Sequence, residues 1–243
     1  MPNIGQFEWL TRDLQGVRGL LERHATSLAS PFAQDDPDRN ALHLVTLELT
    51  LRMVDLAEGV QVLLGASSFS PAVILVRSMF ENLANIGYLV TRPDGHREAT
   101  IMLAHSYGRQ IRQFPHQPEL VAELEKVRAR MPRELVSEGD RRHRLTGLKV
   151  ADTAAAAKVE GYERAYAYYS SEAHGSVLNQ HVKFQDGAML LGRTLQASER
   201  ESIANFARRA LRDAFSMLAH VFRITWGQMP TEDPEIWRQA QQS

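Results

Sequence analysis

Two short stretches of this sequence hold most of its candidate chemistry. In "LVRSMFENLANIGYLV", Arg77, Ser78 and Glu81 are followed by Asn85 and Tyr88. In "YAYYSSEAHGS", Tyr166, Ser170 and His174 stand four residues apart before Gly175. Side chains four apart share one face of a helix, so each stretch gathers polar groups on one side. A near-uncharged polar face around one Arg–Glu pair, and a histidine beside a serine at a helix end, are residue types that can mark a site. The structural alternatives are as concrete. Arg77 and Glu81 also read as an ion pair that fixes helix register, and His174 as a cap on the negative end of its helix. A serine nucleophile, Ser170 activated by His174, lacks an acid to orient the histidine.

Helices must position these residues. Phe7, Leu10, Leu14, Val17, Leu21 and Leu28 recur at helical spacing and predict a first helix over about 5–29. "SPFAQDDPDR" breaks it, and a second helix is expected over about 39–65, stopped at Gly65. Ser70-Pro71 reads as the cap and first turn of a third, ended by "TRPDG". Further helices are expected over about 96–113 and 117–131. The charged segment 132–149 reads as a connection, followed by short helices at "VADTAAAAKVEG" and "YERAYAYYSSEAH". Asp186-Gly187 between short apolar runs predicts one hairpin near 181–191. A long helix over about 198–227 closes the chain. The expected fold is all-α, a single-domain bundle of about seven or eight helices over 1–243. Its core spans about 40–227, with an N-terminal helix within 1–30 and a loosely attached tail at 228–243.

On the third helix the face opposite Val76, Met79, Phe80 and Leu83 carries Arg77, Ser78, Glu81, Asn82, Asn85 and Tyr88. Solvated faces usually carry several Lys and Glu. This one has a single arginine and a single glutamate among uncharged polar groups, which predicts a face covered by protein.

Composition removes several chemistries. There is no cysteine, so disulfides and thiolate catalysis are excluded. None of the nine histidines has a second histidine four residues away, so no helical zinc motif forms and no metal or other cofactor is expected. Walker A, GxGxxG and GxSxG motifs are absent. The net charge of −1 supplies no global attraction to nucleic acid, and the basic run from Lys126 to Lys149 carries no interleaved aromatic for base stacking. Without a leader pattern or a spanning segment, a cytoplasmic chain that makes no membrane contact is expected.

Together the two polar stretches resemble a bacterial family of unknown function. Its members share an R-S-x-x-E helix and a later Y-x-x-x-S-x-x-x-H-(G/P) helix end. The matching positions are Arg77, Ser78 and Glu81, then Tyr166, Ser170 and His174, and the resemblance spans roughly residues 40–225. That family is similar to the HEPN (higher eukaryotes and prokaryotes nucleotide-binding) helical domains, many of which are dimeric RNases of toxin–antitoxin or phage-defence systems. The resemblance implies a homodimer and a site in which His174, Arg77 and Glu81 are catalytic. Ser78, Tyr166, Ser170, Asn85 and Tyr88 then form a ligand-binding or structural cluster. HEPN RNases place an arginine four to six residues before a histidine on one helix, whereas here Arg164 stands ten residues before His174. Two readings therefore stand side by side. One is a non-catalytic module of a bacterial stress or defence system that binds a protein partner or a ligand. The other is a ribonuclease or nucleotide-acting enzyme that uses Arg77 and His174 on RNA or a nucleotide. Apolar residues on several sides of the last helix, Phe215, Met217, Phe222 and Trp226, add to the expectation of a homodimer.

Overall fold

A computed structural model describes residues 8–33, 37–66, 68–157, 182–185, 188–191 and 197–224. The chain starts with α1 (Glu8–Arg23), α2 (Ala25–Ala29) and a 3-10 turn (Ser30–Ala33). Two long helices follow, α3 (Pro37–Gly65) and α4 (Phe69–Val90), then α5 (Gly95–Gln113), α6 (Pro118–Arg128), α7 (Arg133–Arg141) and α8 (Val150–Ala156). Strands β1 (Val182–Gln185) and β2 (Ala188–Leu191) pair antiparallel, and α9 (Ala197–Phe222) is the last described element. The architecture is an all-α bundle with one hairpin, as the helical periodicity and Asp186-Gly187 predict.

The core sits where α3, α4 and α9 meet. Met53, Ala57 and Val60 of α3 join Val76, Met79, Phe80 and Leu83 of α4 and Ala207, Leu211, Phe215 and Leu218 of α9, all almost fully buried. These positions repeat at three and four, so each helix presents one continuous apolar stripe. Pro71–Val90 is long and apolar enough to cross a membrane by composition alone, and most of it is buried inside the bundle. Against α3–α4–α9, α1 contributes Leu10, Leu14 and Val17, and α5 contributes Ala99, Met102 and Leu103.

Several boundaries differ from the sequence reading. The first helix breaks at His24, dividing it into α1 and α2. α4 starts at Phe69 with Ser68 at the N-cap position, so Ser70 lies inside the first turn. The charged segment after residue 131 is no plain connection, because it forms α7 against α5. Gly139 makes that packing possible: a Cβ there would stand 2.8 Å from His105 N and 2.9 Å from Ile101 O. Three charges of this segment, Glu138, Asp140 and Arg142, are paired within the fold. Arg128 holds Asp140 at 2.7 Å, and Arg142 joins Glu138 at 3.1 Å and the 3%-exposed Glu98. Only four residues, Leu135, Gly139, Met131 and Thr146, are fully buried between 129 and 149, and this thin apolar signal is what concealed the helix. Gly147 then takes the left-handed conformation, φ 74°, turning the chain toward α8.

Candidate functional site

The polar face of α4 lines two adjoining clefts. The first, of about 450 Å³, lies between Arg77, Glu81 and Asn85 of α4 and the segment from Arg144 to Thr153. The second, of about 620 Å³, lies between α3, α4 and α5 and is lined by Ser78, Glu81, Asn82 and Asn85 together with Glu48, Arg52, His105 and Arg109. Glu81, Asn85 and Leu145 belong to both, so the clefts meet along one stripe of α4.

Arg77 Nε donates to Glu81 Oε1 at 3.1 Å, one helical turn on. The side chains are 22% and 35% exposed, a half-covered pair where the sequence predicts a covered one. Ser78 Oγ donates back to the Ile74 carbonyl at 3.1 Å, which leaves its lone pairs for an outside donor. Asn82 is deeper, 5% exposed, and its Nδ2 has no hydrogen-bond acceptor among the described residues. A covered donor left in this state costs about 1–3 kcal/mol, so packing alone gives no reason for an amide at this position.

Tyr88 points elsewhere. Its hydroxyl accepts from Arg92 Nη1 at 3.1 Å, its ring lies 4.9 Å under the Arg92 guanidinium, and it lines neither cleft. Burial first, and then the Glu98 carboxylate, push its phenol above the usual range. Tyr166, Ser170 and His174 lie outside the described residues. Of the site residues expected from sequence, Arg77, Ser78, Glu81 and Asn85 come together along the clefts.

α3 and α5 supply residues that the motif reading missed. His105 is buried, and its Nδ1–H donates to the Gly139 carbonyl at 3.1 Å, because a carbonyl can only accept. Tyr107 is half-buried beside Glu48, and burial first, with that carboxylate second, pushes its phenol up. The signal was present in the sequence: Glu48 and Arg52, then His105 and Arg109, are i,i+4 polar pairs interrupting apolar helix faces.

A larger cavity, about 1020 Å³, is lined by His43 and His96, whose ring centroids stand 6.3 Å apart. It shares no lining residue with the α4 clefts. His43 Nδ1 there and Asn82 Nδ2 in the clefts both lack a partner among the described residues, so it is the motif residues that make the clefts the better candidate despite their smaller volume. No group of three or more His, Asp or Glu side chains converges as metal ligands among the described residues.

Residues 43–189 match the family model described as "Family of unknown function (DUF5677)", well over half of the chain. The chain belongs to that family. The match contains α4, α5 and the whole lining of both clefts. α1 and all of α9 lie outside it, so the family region includes the candidate site but only part of the core that supports it. No curated protein and no solved structure matches the chain significantly.

Proposed function

We propose that this chain is a HEPN-like helical module that binds a ligand or partner segment along the polar stripe of α4 and does not cleave it. The lining of the two clefts carries this reading. Four arginines and two glutamates surround uncharged hydrogen-bonding groups, and a covered amide donor on α4 lacks an acceptor. Recognition uses such groups directly, because a bound oxygen can complete the amide. Catalysis needs more: a proton-transfer group within reach of a reacting atom. His105, the cleft histidine, has Nδ1 committed to Gly139, and His174 is the histidine that the HEPN resemblance supplies.

A homodimer is part of the proposal. α9 buries Phe215 and packs Met217 and Phe222 against its own core, so the dimer surface is better sought on α3 and α4. Leu51, Val62 and Ile74 are exposed there, Val62 by 69%. Purified full-length chain mixed with single-stranded RNA should leave the RNA intact and, by light scattering at micromolar concentration, give a dimer mass. Cleavage abolished by both Arg77→Ala and His174→Ala would establish the nuclease instead, and a monomer mass would remove the dimer.

A further inference from the structure

Several carboxylates of this fold are held by arginines. Arg92 holds Asp94 at 2.7 Å, Arg97 holds Glu138 at 2.7 Å, Arg128 holds Asp140 at 2.7 Å, and Arg142 bridges Glu98 and Glu138. The clefts along α4 gather arginines outside such pairs. Arg52, Arg109 and Arg144 line them with no ion-pair partner among the described residues. Arg52 even has Glu48 one turn before it on α3, the favourable order for an ion pair, yet none forms. The other cleft arginine, Arg77, is matched by Glu81. Among the described residues the lining thus carries four arginines against two glutamates, in a chain of net charge −1. Asn82 lines the same cleft as Arg52 and Arg109, nine-tenths buried, with its Nδ2 lacking an acceptor.

We propose that the cleft between α3, α4 and α5 takes a small oxyanion-bearing molecule, a carboxylate or a phosphate. Arg52 and Arg109 receive the anion, and an oxygen of the ligand accepts from Asn82 Nδ2. This rests on the reading of the α4 clefts as a binding site and adds the class of ligand. Guanidinium groups bind both oxyanions through paired N–H donors, so the two sources share one chemistry. The amide adds a direction that charge alone lacks: it rewards a ligand oxygen beside Asn82.

The test uses the ¹⁵N-labelled full-length chain at low ionic strength, with the Asn82 side-chain amide signals assigned by their loss in Asn82→Leu. Malonate, inorganic phosphate and the neutral analogue malonamide are titrated separately, against chloride at matched ionic strength. The proposal expects a saturable shift of the Asn82 amide with malonate or with phosphate, and whichever acts identifies the source. Arg109→Gln and Arg52→Gln, both at exposed positions, should each weaken that binding at least about tenfold, as loss of a charged hydrogen bond does. A saturable shift with malonamide as strong as with either anion would overturn the anion class and leave the binding site standing. An Asn82 amide unmoved by all three probes would overturn both. Anion binding unchanged in both arginine variants would overturn the assignment of Arg52 and Arg109.

Discussion

Arg77 and Glu81 show how far a spacing argument reaches. The sequence places them one turn apart and the structure closes the pair, but the depth of the pair depends on neighbours from other helices. A fully covered pair would cost about 3–5 kcal/mol to break, and a solvated one under about 1. With the side chains 22% and 35% exposed, Arg77→Ala should cost about 1–2 kcal/mol in urea unfolding. A loss above about 3 would mean that Glu81 is left without water. His43 gives a pH test at the larger cavity. Burial first, then His96 and Arg223, outweigh the Val221 backbone and hold its imidazole below the ordinary 6.5. The folded ring stays neutral where the unfolded one takes a proton, so this contribution is intact above 6.5 and is lost as pH falls from there toward the folded value. The urea midpoint of His43→Gln should therefore fall less than that of the unaltered chain between about pH 7.5 and 5.5. Equal slopes would contradict it.

At the scale of elements, the seam between α5 and α7 is the least legible part of the sequence. Helices α3, α4 and α9 announce themselves through apolar stripes at three and four. α7 buries only Leu135 and Gly139, and it is held by what a pattern search does not see: the absence of a Cβ and a set of ion pairs to distant residues. Gly139→Ala should cost about 2 kcal/mol or more, because the new Cβ meets backbone atoms of α5, which cannot swing aside as a side chain would. Thermal unfolding unchanged from the parent would show that α7 does not dock as described. The missed capping residue has a similar cause. Ser68 and Ser70 are the same residue type, and Ser68 takes the N-cap position without a side-chain hydrogen bond that composition would have revealed.

For the whole molecule, the all-α class and the hairpin were legible because both rest on local periodicity and turn chemistry. Half of the candidate site was legible too, since Arg77, Ser78, Glu81 and Asn85 lie on a single helix. The other half, Glu48, Arg52, His105 and Arg109, arrives from α3 and α5, and no spacing within one helix reveals which faces meet. The central claim is that the polar stripe of α4 is kept for binding rather than for stability. Asn82 separates these most directly, because a buried donor without an acceptor weakens the fold that carries it. In urea unfolding of the ligand-free chain, Asn82→Leu should match or exceed the parent in stability, by up to about 1–3 kcal/mol, with an unchanged slope. A loss of more than about 1 kcal/mol would mean that the amide supports the fold, and would contradict the account.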